Sequence, residues 1–469
     1  MKLINRLLTK RKTFLTVLIL IFALSGTAFL SAQTTQWHTV ESILEQIAER
    51  LSVLDFDAAI SLFDTIPAPA RDAFDLRLLE ASVMSSAGRY GDARRVVEAL
   101  SSLEPNNITV LFMLATIEEA AGRQRQQQTA LERILNIDPD NSAALIALGN
   151  INLQNRALRP AAASFHRVLQ TEPENVAALI GLSRAFRMNR EWEHAEILLN
   201  RAVELSPDLL EARTDRARFY WGRGFLVQAL EDLDEAKRIA PFNYWVAMDR
   251  ANLLLEMNLR SHALEEFKRA IELNPNEYRP YIFVAGLMDE MGDHDGAARH
   301  YEILARLRPD YHFGLEGLGL HQMRVGDWAA ARDTFMEAHR QAPNEHLYAL
   351  LAAISWMRME DLSSPRAFLQ QAVQRVPHNT IEWHMFRLFI DLTARSFAGE
   401  RDMLIRLERE QDEMLRARMQ FFMGQYYDIR GITSLANRHF LMVQETNLRS
   451  IPEWRLNQWI LADRGLNLF

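Results

Sequence analysis

Small, bulky and polar positions recur along most of this chain with a spacing of 34 residues. A small residue stands at Ala59, Ala93, Ala161, Ala195, Ala229, Ala263, Ala297 and Ala331. Four places further on in most copies comes a bulky apolar residue: Phe63, Leu131, Phe165, Leu199, Leu233, Phe267, Tyr301, Phe335 and Leu369. Prolines keep the same phase at Pro105, Pro139, Pro173, Pro207, Pro241, Pro275, Pro309, Pro343 and Pro377, and each has Asn or Asp within two residues after it. Proline cannot extend the helix behind it, while Asn or Asp caps the helix ahead. Each proline is therefore predicted to be a joint between helices. A period of this length predicts stacked helix–turn–helix units.

With the proline placed at unit position 32, the alanines fall at position 20 and the bulky residues at position 24. Position 8 is small in most units: Ala81, Ala115, Gly149, Ser183, Ala217, Ala251, Ala285, Gly319 and Ala353. Small residues at 8 and 20 let the two helices of a unit cross closely, and the residue at 24 fills the space between units. Gly88, Gly122, Gly224, Gly292 and Gly326 mark the turn between the two helices.

These positions resemble the pattern of the tetratricopeptide repeat family, over about nine-tenths of the chain. The units read 40–73, 74–107, 108–141, 142–175, 176–209, 210–243, 244–277, 278–311, 312–345 and 346–379. A degenerate segment, 380–416, runs three residues long, and a clearer unit follows at 417–450 with Gly424, Tyr427, Ala436 and Phe440. Gln127, Pro365 and Gly399 depart from alanine at position 20, and the tryptophan common near the start of such units is mostly absent, Trp383 being the exception. The resemblance implies an all-α, right-handed superhelical solenoid of about twelve repeats with a concave inner face. The chain beyond, 451–469, reads as a capping helix, with Trp454 and Leu461 covering the last unit and Glu453, Arg455 and Arg464 meeting water.

The N-terminus breaks the pattern. Lys2, Arg6, Lys10, Arg11 and Lys12 precede an uncharged run that starts at Thr13 and is almost wholly apolar from Phe14 to Leu24. Residues 1–32 therefore read as a signal peptide or an uncleaved membrane anchor, followed by a linker at 33–39. Either reading leaves the basic end cytoplasmic and the repeats outside, in the periplasm or cell envelope. Membrane contact through the N-terminal segment follows if it is uncleaved.

Composition removes several kinds of chemistry. Cysteine is absent, which excludes disulfides, thiolate metal sites and cysteine nucleophiles. The net charge is −8, and without the five N-terminal basic residues the remainder carries −13. An acidic body repels nucleic-acid phosphates, so nucleic acid is not an expected partner. Met291–Glu302 loosely resembles a calcium loop, but Met291 supplies no oxygen ligand at the first position. The pairs His294/His300 and His378/His384 are six apart and do not share a helix face. Gly314, Gly317 and Gly319 fall within a first helix and fit close packing better than a phosphate loop. No catalytic grouping, metal site or cofactor is expected, and no repeat-free block of domain size remains to house an enzyme.

In the family that the repeats resemble, positions 2, 5, 9 and 12 of each first helix face inward. Position 9 of four successive units reads Asn150, Arg184, Arg218 and Asn252. Arg187 and Trp221 hold position 12 of the middle two, and Trp245 holds position 2 of the next. Guanidinium forks, amides and indoles along one strip suit a protein or peptide partner bearing acidic groups or a free carboxylate. The alternative is that Arg184 and Arg218 pair with neighbouring acids such as Glu211 and Asp215. The lysines of the family's carboxylate clamp are missing here. The expected role is an exported scaffold holding partner proteins for envelope assembly or secretion. The rival is a glycan-handling adaptor in polysaccharide export, with Trp221, Trp245 and Phe313 stacking on sugars.

Overall fold

The computed structural model describes residues 34–68, 70–393, 399–449 and 451–466. The basic and apolar segment expected to direct export lies outside them. Among the described residues no helix is long and apolar enough to cross a membrane, and all regular structure is helical. Residues 34–39, read from sequence as linker, already belong to the first helix.

Two units make up the chain, 1–242 and 243–469. The first holds α1 (Thr34–Ser52), α2 (Phe56–Phe63), α3 (Phe74–Ser86), α4 (Tyr90–Leu103), α5 (Ile108–Ala120), α6 (Gln124–Ile137), α7 (Ser142–Gln154), α8 (Leu158–Thr171), α9 (Val176–Met188), α10 (Trp192–Leu205), α11 (Leu210–Gly222) and α12 (Leu226–Ile239). The second begins with α13 (Tyr244–Glu256), α14 (Arg260–Leu273), α15 (Arg279–Glu290), α16 (His294–Leu307), α17 (His312–Arg324) and α18 (Trp328–Gln341). It continues with α19 (Leu347–Arg358), α20 (Ser364–Ala372), α21 (Ile381–Thr393), α22 (Glu400–Arg409), α23 (Glu413–Ile429), α24 (Thr433–Glu445) and α25 (Pro452–Asp463).

Local chemistry sets these boundaries. Asn141 and Asn175, two residues after their prolines, accept from the backbone N–H of Ala144 and Ala178 at 3.1 and 3.0 Å, so they cap α7 and α9. Asn107 and Asn243 cap α5 and α13 in the same way. Asp208 and Asp310 do not cap; they pair with Arg238 and Arg308 instead. The turn between paired helices takes a left-handed residue at position 15. It is Gly88 (φ 78°), Gly122, Gly224 (φ 79°), Gly292 and Gly326 in five repeats, but Arg156 (φ 56°), Arg190 (φ 63°) and Glu360 (φ 65°) in others.

Packing follows the repeat phase. The position-20 alanines are fully buried, and so are Phe63, Phe165, Phe267 and Phe335 at position 24. In α7 the glycine at position 8 makes room for the position-24 ring: a Cβ on Gly149 would stand 2.6 Å from Phe165. Gly317 and Gly319 likewise lie against Tyr301 and Phe335, so their role is close packing. Asp293, part of the calcium-like stretch, caps α16 by accepting from Gly296 N at 2.9 Å.

The second unit departs from a plain repeat array. Helix α19 is buried nearly all round, including Leu347, Leu350, Ile354 and Met357 at positions 2, 5, 9 and 12. Such a helix is core rather than surface. Helix α23 covers it, with Arg358 donating to Gln425 at 2.6 Å and to Asp428 at 2.5 Å. Helix α23 starts at Glu413, four residues before the repeat boundary read from sequence at 417. The C-terminal helix α25 buries Trp454 and Leu461, but of the polar residues assigned to water Glu453 is buried and Arg455 and Arg464 reach it only in part. Glu453 is 0% exposed and paired with Arg418, Arg455 is paired with Asp289, and Arg464 is paired with Asp428. These charges face protein because α25 is held on more than one side.

Candidate binding surfaces

In the first unit, α9 and α11 bring Arg184, Arg187 and Arg218 together around Asp215. Arg184 sits at position 9 of α9, one repeat before Asp215 at position 6 of α11. Its Nε donates to Asp215 Oδ1 at 2.9 Å and its Nη2 to Oδ2 at 2.6 Å, while Nη2 also reaches Glu211 at 2.7 Å. Asp215 is only 4% exposed. The hydrogen bonds that Arg184 donates to Asp215 outweigh desolvation and raise the Arg184 pKa above its ordinary range. Arg184 is therefore a structural clamp between two repeats, which is the alternative role the sequence left open for it.

Arg187, one turn on, is different. It is half-buried on α9 and makes no hydrogen bond or ion pair among the described residues. Burial pushes its pKa down; the Asp215 carboxylate opposes this, while the Arg184 and Arg218 guanidiniums add to it. Asp215 is already gripped by Arg184, so the charge on Arg187 is poorly compensated. Arg218 is exposed and Trp221 half-buried on α11, and both have contacts of their own. Asn150 is half-buried on α7. A second buried acid, Asp232, takes both Arg213 and Arg216 and ties α11 to α12. That leaves Arg187 as the charged member of the first-unit strip without a hydrogen bond or ion pair among the described residues.

The remaining two sequence candidates lie in the second unit. Trp245 is 57% exposed at the start of α13, with its ring 5.0 Å from Tyr244. Asn252 donates Nδ2 to Met248 O of its own helix at 2.9 Å, so its amide is partly used. Phe313 is 54% exposed beside Tyr311 and His312. The histidines singled out from sequence serve separate partners: His294 meets Asp289 at 2.5 Å and His300 meets Gly296 O at 2.8 Å.

Sequence reasoning missed an acidic notch on α15 and α17. Asp289 (position 12) and Glu316 (position 5) both face Arg455 of α25, at 2.5 and 3.7 Å. Their positions mark the inward face in the repeat pattern, so acids there were a readable signal. Their occupant, 166 residues away in sequence from Asp289, was not.

Helix pairs in a 34-residue register, with small, bulky and left-handed positions in fixed phase, define a helical-repeat protein. Residues 146–209 and 289–346 match the model of the tetratricopeptide repeat family. These two stretches are tetratricopeptide repeats, and repeats of this kind act as scaffolds for protein–protein interaction. Among solved structures it is similar to a tetratricopeptide repeat protein from Parabacteroides merdae, at 18% identity and a TM-score of 0.44, covering 53% of this chain and 98% of that one. It is also similar to Pseudomonas aeruginosa PilF, at 20% identity and a TM-score of 0.37, over 43% of this chain and 92% of that one. YrrB, described as a TPR protein with an unusual peptide-binding site, shares 19% identity at a TM-score of 0.35, over 40% of this chain and 97% of that one. No curated protein matches the chain in sequence.

Proposed function

We propose that this protein is a non-catalytic scaffold of the cell envelope that holds a protein or peptide partner on the first unit, at the face carrying Arg187. The observation that carries the reading is the half-buried Arg187 guanidinium, which makes no ion pair of its own and shares Asp215 with the clamped Arg184. A carboxylate presented by a partner, from an acidic side chain or a chain end, would take the fork that the fold leaves unused. Trp221, nearby on α11, adds apolar surface for an anchor. Export rests on the five basic residues ahead of the apolar run at 13–30.

A photo-crosslinking residue at position 187 of the full chain tests the reading in the native envelope. A discrete protein adduct should form there and not from position 170 on α8, where Gln170 is exposed. Equal adducts from both positions, or adducts with polysaccharide alone, would contradict it. Protease added to cells with a permeabilised outer layer and an intact inner membrane should digest the repeats. Full protection would contradict the envelope location.

A further inference from the structure

The second unit carries a surface already occupied by the chain's own end. Arg455 of α25 enters between Asp289 and Glu316, whose side chains are only 10% and 15% exposed. The acids are held from behind: Asp289 also meets His294, and Tyr348 donates to Glu316 Oε2 at 2.8 Å. One helical turn after Arg455, Trp459 sets its ring edge-on to His294 at 5.2 Å, and Arg324 lies 5.5 Å from the Trp459 ring centre. An arginine and an indole four residues apart on a helix thus meet two acids and a cation in matching order. This face of α25 is charge-complementary to the notch, while Leu456, Trp454 and Leu461 of the same helix are buried in the core.

The opposite face of α25 rests on α23 and α24. Glu453 pairs with Arg418 at 3.1 Å, and Asn457 donates to Phe440 O at 2.9 Å. Three polar atoms buried there, Glu453 Oε2, Trp454 Nε1 and Asn457 Oδ1, lack a partner. Unpaired buried polar atoms weaken the seating of the helix.

We infer that the notch formed by Asp289 and Glu316 is a docking site for a basic, aromatic helix, and that α25 is its tethered resident, displaced by a partner helix presenting arginine and tryptophan one turn apart. An isolated acid cluster would attract any cation. Here the seated helix defines the ligand: one guanidinium between two acids and one indole between His294 and Arg324. This surface belongs to the second unit and the Arg187 face to the first, and its ligand has the opposite charge.

Two measurements test this, each with synthetic peptide 451–469 as the probe. In the full chain bearing Arg455→Ala and Trp459→Ala, the notch is vacated while most of the α23/α24 contact of α25 remains. The labelled peptide should bind this variant saturably and at least tenfold more tightly than it binds wild type. A peptide with both residues replaced by alanine should not bind. Absence of binding by a variant with wild-type helix content, or equal binding of the two peptides, would overturn the inference. Wild-type protein gives a readout that does not depend on the variant folding. Amides of α25 should exchange with solvent at least tenfold faster than those of α23, and faster still with excess peptide. Equal protection of α25 and α23, unmoved by peptide, would show a permanent cap and overturn it.

Discussion

The guanidinium of Arg184 closes on the buried carboxylate of Asp215 with two hydrogen bonds, 2.9 and 2.6 Å long, across the boundary between adjacent repeats. The pair separates two roles within one strip of arginines. Arg184 is spent on the fold, and Arg187 is left for something else.

Removing Arg184 should therefore destabilise the protein. Breaking a buried ion pair costs about 3–5 kcal/mol because the remaining charge is stranded. Arg184 keeps 30% of its side chain exposed, so about 2–3 kcal/mol is the expected loss for Arg184→Ala. Urea denaturation measures it. Arg184→Met combined with Asp215→Leu should recover most of the loss, since no charge is then stranded.

The contact between Gly149 and Phe165 makes a second prediction. Gly149→Ala should cost about 1–3 kcal/mol, because its Cβ would stand 2.6 Å from the ring. Phe165→Leu should be less harmful in the Gly149→Ala background than in wild type. A double-mutant cycle on thermal stability reads this coupling.

Much of this was legible in the chain and some was not. The pairing of positions 8, 20 and 24 could be read because each repeat presents the same geometry to the next, so a period in sequence becomes a period in space. The left-handed turn was legible at Gly88 and Gly224 but not at Arg156 or Arg190, where an arginine occupies a glycine conformation. The closeness of Arg184, Arg187 and Arg218 was readable from their repeat positions. Which arginine was already paired was not, because that depends on the reach of one side chain to an acid in the next repeat. The covering of α19 by α23, and of Asp289 by α25, lay furthest from view. Both follow the segment 380–416, where the 34-residue phase is lost and with it any rule for which faces meet.

The turn at Arg190 gives a third prediction. Its φ of 63° is strained for an arginine and free for glycine. Arg190→Gly should raise stability by about 0.5–1 kcal/mol, after the extra unfolded-state entropy of glycine is subtracted. The same change at Arg187, inside α9, should lower stability, and the two melting curves should bracket wild type.

Acid should weaken the second unit through His439. Burial on α24 lowers its pKa from the ordinary 6.5 to about 4, and its ring stacks on Tyr427 at 5.4 Å. The unfolded chain then binds the proton more readily than the folded one between those values. Stability should fall as pH drops from 6.5 towards 4 and then level off, by about 2–3 kcal/mol from this residue. His321, His339 and His384, also lowered by burial, add to the same slope. Urea midpoints between pH 7 and pH 4.5 should show a shallower slope in His439→Gln than in wild type.

The most direct test of the division between the two arginines is equilibrium binding of the partner captured at position 187, measured with folded wild type and with Arg187→Ala. The account predicts an unchanged melting temperature and affinity weaker by about 2 kcal/mol, roughly thirtyfold, as for loss of one charge-assisted contact. Wild-type affinity in Arg187→Ala, or a large loss of stability, would contradict it.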